Sequence, residues 1–241
     1  MGDVMEFCVL IIVIWGVIRF IRWSSYKKTE YYKQTGTPFY VVNRFGDHSD
    51  KGPVGEYLTY KYLKSIPGSR KFLFNVYVPK EDGTTSEIDV LMIHETGIYV
   101  FESKNYSGWI FGSEKNRTWT ATLPQGKGRS KKVKFYNPIM QNKGHIKYLK
   151  SYLGNESIDY FSYIVFSERC ELKKIELSPG GAETVIKRNE LRMYVNARIK
   201  KSPQRLTSGT IEATYGRLYP LTQKTAEQKQ AHVENIRKKY K

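Results

Sequence analysis

The chain has 241 residues, 40% of them hydrophobic and 14% aromatic, enough for one packed domain with appendages and too apolar for global disorder. Its 40 lysines and arginines against 23 acidic residues give a formal charge of +17 and a pI near 9.7, a field that attracts nucleic acid or an anionic lipid surface. The two cysteines, Cys8 and Cys170, exclude a disulfide framework or a cysteine zinc pattern and suit a reducing compartment.

Residues 4–23 read VMEFCVLIIVIWGVIRFIRW. A helix of that length spans about 30 Å, the thickness of bilayer hydrocarbon. Glu6 and Arg19 bracket its uncharged run, and Trp23 suits the interfacial belt. A cleaved signal peptide needs a basic lead and a small-residue cleavage site, whereas here Asp3 and Glu6 lead and Arg19, Arg22, Lys27, Lys28 and Lys33 follow. The pattern predicts one transmembrane helix over 4–23, single-pass in the cell membrane, with the rest of the chain cytoplasmic. Residues 24–50 then read as a basic juxtamembrane connector that favours anionic headgroups.

From Gly52 the texture changes, and Gly55, Glu56, Leu58, Tyr62 and Leu63 have helical spacing before Pro67-Gly68. Residues 71–79 alternate as a strand. Residues 86–94 and 98–104 form a hairpin about Glu95-Thr96-Gly97, and their continuous apolar runs predict burial on both faces. Trp109 and Trp119 bracket a further hairpin, and 125–134 reads as a Gly/Lys loop. Asn137-Pro138 opens a helix to about Leu153. Residues 160–166 form a central strand, 184–187 a short strand, 190–199 a helix, and 225–241 a basic amphipathic helix. The order predicts an α/β domain over 51–200, with a basic helical extension over 201–241.

Three charged residues interrupt the hairpin. Asp89 lies in its first strand and Glu102 and Lys104 lie in its second, and burying them is costly unless they pair or hold a metal. Glu102 and Lys104, two apart, share a face. A turn centred on Glu95-Thr96 sets Asp89 opposite Glu102 and Glu87 opposite Lys104, with Cβ atoms roughly 5 Å apart. A bulge at Gly97 would shift the register and turn Asp89 to the other face. Paired carboxylates favour a hard cation, Mg²⁺ or Mn²⁺. On spacing alone, an internal salt bridge explains the same residues equally well.

Taken together, Gly55-Glu56, Glu87-Ile88-Asp89, Glu102-Ser103-Lys104 and Asn137-Pro138-x-x-Gln141-x-x-x-His145 resemble the nuclease-related domain (NERD) family, over roughly residues 51–150. That family is similar in core to the PD-(D/E)xK nucleases. The resemblance implies a restriction-endonuclease-like mixed β-sheet flanked by helices. It also implies metal ligation by Asp89 and Glu102, a catalytic Lys104, an acidic Glu56 from the first helix and a site-lining Gln141. The implied activity is a Mg²⁺- or Mn²⁺-dependent DNA endonuclease, with an inactive module that tethers nucleic acid or a partner at the membrane as the alternative.

Lys127, Arg129, Lys131, Lys132 and Lys134 are expected to contact phosphates, or to form a solvated charge run. His94 is expected at the surface, and His145 either lines the site or packs its helix. Trp109 and Trp119 are expected in the core rather than as base-stacking platforms.

Overall fold

The computed structural model describes residues 2–43, 51–126, 128–155, 157–225, 227–232 and 234. Helices α1 (Gly2–Lys27), α2 (Glu30–Thr35), α3 (Phe39–Val42) and α4 (Lys51–Leu63) precede the strands β1 (Arg70–Pro79), β2 (Thr85–His94) and β3 (Gly97–Lys104). Strands β4 (Gly108–Ser113), β5 (Thr118–Pro124) and β6 (Ser130–Tyr136) lead to α5 (Pro138–Leu153) and β7 (Tyr160–Phe166). The chain continues through β8 (Cys170–Glu176), β9 (Glu183–Lys187), α6 (Leu191–Lys201) and α7 (Ser208–Leu218). The result is a mixed α/β fold with two mixed sheets, ordered β1-β2-β3-β7-β9 and β6-β5-β4-β8, flanked by helices.

The first sheet is antiparallel through β1, β2 and β3 and parallel through β3, β7 and β9. Its two faces carry separate cores. On one, Tyr60 and Leu63 of α4 and Leu191 and Val195 of α6 pack on Phe74, Val90 and Phe101. On the other, Leu149 and Leu153 of α5 and Ile211 and Leu218 of α7 pack on Leu73, Leu91 and Val100. The runs in β2 and β3 are therefore continuous because both faces are covered, as their composition predicts. The turn keeps the simple register, with His94 opposite Gly97 and Val90 opposite Phe101. Gly97 sits at φ 142, and a Cβ there would stand 2.5 Å from the Asp159 carbonyl, so no other residue fits.

The second sheet is the main architectural feature beyond the sequence reading. The second half of the expected loop over 125–134 belongs to strand β6, paired with β5 from Thr118↔Tyr136 to Pro124↔Ser130. Strand β8 pairs parallel to β4. Trp119 is buried and stacks on Phe166 of β7 at 6.0 Å, which fastens one sheet to the other. Trp109, in contrast, is 50% exposed beneath the Lys173 ammonium, correcting its core assignment. His94 is fully buried, bonded to Thr96 Oγ1 and the Pro67 carbonyl, because closing the turn requires partners for those groups; the surface expectation is likewise corrected.

Among the described residues no helix is long and apolar enough to cross a membrane, so the span expected over 4–23 is corrected. The physical reason is length: the uncharged run 7–18 makes roughly 18 Å of helix against roughly 30 Å of hydrocarbon. Helix α1 nonetheless exposes apolar side chains on all sides, with Phe7, Ile12, Trp15 and Phe20 each over 60% exposed. The connector is no loose leash. Tyr26 and Tyr31 insert into the α4 core and Gln34 Nε2 donates to the Phe72 carbonyl. Of the expected helix over 225–241, residues 227–232 and 234 are helical and 226, 233 and 235–241 lie outside the described residues.

Asn137 joins the second sheet to α5. Its Oδ1 caps the helix, accepting from the Ile139 and Met140 amides, while Nδ2 reaches the carbonyls of Ser113, Glu114 and Asn116. Asn137→Ala removes the cap and strands those carbonyls, so urea unfolding is expected to show a loss of about 2–4 kcal/mol. A variant within about 0.5 kcal/mol of wild type contradicts this role.

Candidate active site at the end of the central hairpin

The hairpin register that the sequence favours brings Asp89, Glu102 and Lys104 together. The ladder closes at Val90↔Phe101. Beyond it, Asp89 turns its Oδ2 to accept the Ser103 amide at 2.8 Å, so Asp89 and Glu102 adjoin without pairing. Glu87 does not meet Lys104. It accepts from the Tyr77 hydroxyl at 2.7 Å and faces His232 Nε2 at 3.4 Å.

Glu102 is 1% exposed and has a partner for each oxygen. Lys104 Nζ lies 2.6 Å from Oε1, and His145 Nε2 lies 3.0 Å from Oε2. Lys104 also donates to Gln141 Oε1 at 3.1 Å, and His145 Nδ1 lies 2.6 Å from Ser86 Oγ. His145 thus bridges Ser86 and Glu102 through its two ring nitrogens. Gln141 and His145 are four apart on α5, so one helix face presents both. Asn142 fixes that helix on the sheet, its Nδ2 donating to the Val100 carbonyl and Ser162 Oγ.

Glu56 arrives from the opposite face. Gly55 lets α4 close on β3; a Cβ there would stand 2.9 Å from Ser103 Oγ. That approach carries Glu56, 8% exposed, towards the hairpin, where its Oε2 lies 3.2 Å from the Tyr31 hydroxyl, whose proton is shared with the Pro53 carbonyl at 3.1 Å. Tyr31 is an addition to the sequence-derived residues, whereas Glu87 and His145 were named there without these partners. The i,i+4 spacing from Gln141 marked His145 without deciding its role, whereas no local pattern linked Tyr31 to Glu56.

Four carboxylates and one lysine give opposed electrostatics. Burial pushes the Asp89 carboxyl well above its usual range, and the charges of Glu102 and Glu56 add to the push. Burial, then Glu87, raises Glu56 to about 7. Burial also acts on Glu102, but the Lys104 charge and His145 outweigh it and hold that group below its ordinary value. Lys104 is raised: burial opposes its charge, and Glu102 and Asp89 overcome that. Glu102 and Lys104 thus form the ionised pair, while burial and neighbouring carboxylates hold Asp89 and Glu56 towards their protonated forms, and a bound cation would favour ionising them.

Among the described residues no group of three or more His, Cys, Asp or Glu side chains is disposed to hold a metal ion. The Asp89 and Glu102 oxygens still suit Mg²⁺ or Mn²⁺ chemically, since Mg²⁺ commonly takes one or two carboxylates and fills its sphere with water and phosphate oxygens. Of the expected phosphate contacts, Lys127 lies outside the described residues. Arg129 sits in the β5–β6 turn, and Lys131, Lys132 and Lys134 lie exposed on the edge strand β6. The end of that strand approaches the site where Phe135 packs on Tyr106 at 4.7 Å.

Residues 51–167 match the family model of the nuclease-related domain. A Bacillus anthracis protein described as uncharacterized is 42% identical over 128 residues, which make up 53% of this chain and 58% of that relative; the match thus covers less than two thirds of its length. No solved structure matches.

Glu56 provides a direct test of the site's electrostatics. It titrates at about 7 in the fold against an ordinary 4.5. The folded state therefore retains a proton that the unfolded chain releases, and stability falls as pH rises between those values. Glu56→Gln is expected to remove that loss, raising stability at pH 8 by up to roughly 3 kcal/mol with little difference at pH 4. Parallel pH–stability curves for the two proteins would refute it.

Proposed function

We propose, from a chain whose residues 51–167 match the nuclease-related domain, a divalent-metal-dependent nuclease that hydrolyses DNA phosphodiester bonds beside the cytoplasmic leaflet of the cell membrane. The observation that carries it is the convergence of Asp89, Glu102 and Lys104 at the end of one hairpin, with Gln141 bonded to the lysine and Glu56 brought in from α4.

Asp89 and Glu102 would hold Mg²⁺ or Mn²⁺. Bound there, the ion supplies an activated water and offsets charge on the phosphate. Lys104 is held between Glu102 and Gln141, so its charge is fixed in place to oppose the negative charge that develops on the phosphorus oxygens. His145 keeps Glu102 oriented and ionised from behind. The net charge of +17 draws DNA from a distance, and the β6 lysines offer it a phosphate-binding edge.

Attachment to the lipid surface rests on α1. Its exposed apolar sheath is unstable in water, and Arg19, Arg22, Lys27, Lys28 and Lys33 match anionic headgroups. A groove of about 690 Å³, lined in part by Arg19, Phe20, Trp23, Lys27, Tyr32 and Tyr40, offers cations and aromatic rings together, a combination suited to an amphiphile.

One observation favours a second reading, an inactive module that tethers nucleic acid or a partner: both Glu102 oxygens are already engaged by Lys104 and His145. The two readings separate in one assay. The purified chain is expected to degrade DNA with Mg²⁺ or Mn²⁺, and Asp89→Ala and Lys104→Ala to lose about 100-fold or more in rate. Salt-dependent binding without cleavage, unchanged in Asp89→Ala, would instead support the tether.

A further inference from the structure

Strand β1 contains a residue that neither charge nor motif marks. Asn75 has φ 52, the one positive value at a non-glycine position among the described residues. It lies mid-strand, between the pairs Phe74↔Val90 and Val76↔Ile88, so the position facing it across the ladder is Asp89. The left-handed conformation is accessible to asparagine and still carries strain.

Two consequences are visible in the packing. Strict alternation would send Val76 to the face of Phe74 and Ile88 to the face of Val90. Instead Val76 and Ile88 pack in the α5 core, whereas Phe74 and Val90 pack in the α4 core. The sheet thus changes face across the Asn75–Asp89 position, and this leaves Glu87 and Tyr77 on the side from which Glu56 enters. The Asn75 side chain also lies near enough to Glu56 to lower its carboxyl, as a hydrogen-bond donor would. A carboxylate only accepts, so the Asn75 amide is the donor. Glu56 is therefore faced by two donors, the Tyr31 hydroxyl and the Asn75 amide.

We infer that Asn75 is a positioning residue of the carboxylate site: its left-handed backbone turns the hairpin so that Asp89 and Glu87 meet the α4 side, and its amide fixes Glu56 among them. Strain persists where surrounding structure enforces it and the arrangement it secures is used. Glycine would supply the same backbone at no strain, so the amide is what asparagine adds. This rests on the nuclease reading for its catalytic meaning and on the fold alone for its geometry.

The test compares Asn75→Gly, which keeps the backbone freedom and removes the donor, with Asn75→Asp, which keeps the shape and turns the donor into an acceptor. Both are made in the full chain. Thermal midpoints are expected within about 4 °C of wild type. In plasmid cleavage with Mn²⁺, kcat is expected to fall about tenfold or more with KM for DNA changed by less than about twofold. Amide hydrogen exchange over residues 52–59 is expected to quicken about tenfold in both variants as Glu56 loses its tether.

Wild-type rates and wild-type exchange in both variants overturn the inference. So does a large fall in thermal midpoint with kcat and KM lost together, which assigns Asn75 to folding alone. If the wild-type chain itself cleaves nothing, the nuclease reading fails separately. The exchange of residues 52–59 then decides the Asn75 geometry unaided.

Discussion

The organisation of this molecule depends on one buried carboxylate. Glu102 sits in the central strand of a sheet covered on both faces, and its ionised form survives there because Lys104 and His145 each hold one oxygen. Removing either partner would leave a charge in low dielectric, which is far costlier than never burying the pair. That constraint reaches outward. Lys104 needs Gln141, and His145 needs Ser86 and a fixed α5. Helix α5 is in turn located by Asn142 on the sheet and by the Asn137 cap. The second sheet, which Asn137 clasps through three carbonyls, thereby becomes part of what holds the site in place.

The electrostatics of site and surface run in opposite directions, and each suits a separate task. The chain as a whole is strongly cationic, which concentrates polyanions at the surface. The site concentrates carboxylates, with Asp89 raised by burial, Glu102 and Glu56, and Glu56 by burial and Glu87. Such a cluster is unfavourable for folding by itself, and strained or frustrated charge of this kind is typical of sites that trade stability for function. An internal salt bridge accounts for Glu102 and Lys104 alone. It gives no reason to gather Glu56, Glu87 and Asp89 around them.

Much of this was legible in the sequence because it follows from local periodicity. The hairpin itself was legible from its apolar runs, although its register stood between a turn on Glu95-Thr96 and a bulge at Gly97 until the ladder closed on the former, and the Asn-Pro start of α5 declared its own cap. The second sheet was not legible: the 130–136 lysines hide a strand whose order comes from pairing with β5, and Cys170–Glu176 is half polar at its exposed edge. His94 misled because a polar residue beside a turn reads as surface, whereas here the turn is itself buried by Pro67. Asn75 was invisible for a different reason. A lone asparagine in a strand reads as a solvent-facing residue, and only the backbone angle tells that the strand turns over there.

The N-terminal segment alters how the site relates to the rest of the chain. A connector read from composition alone is a passive leash, yet Tyr26 and Tyr31 are core residues, packed edge-on against Tyr57 and Phe74. The Tyr31 hydroxyl ends on Glu56. The residues leaving α1 therefore complete the hydrogen bonding of a carboxylate in the cleft, although they precede the stretch that matches the nuclease-related domain. Position 31 and position 56 are joined by burial and not by sequence spacing, so the N-terminal segment packs as part of the domain. The end of α1, the tyrosine-rich segment and the carboxylate site are thus joined through buried side chains in contact.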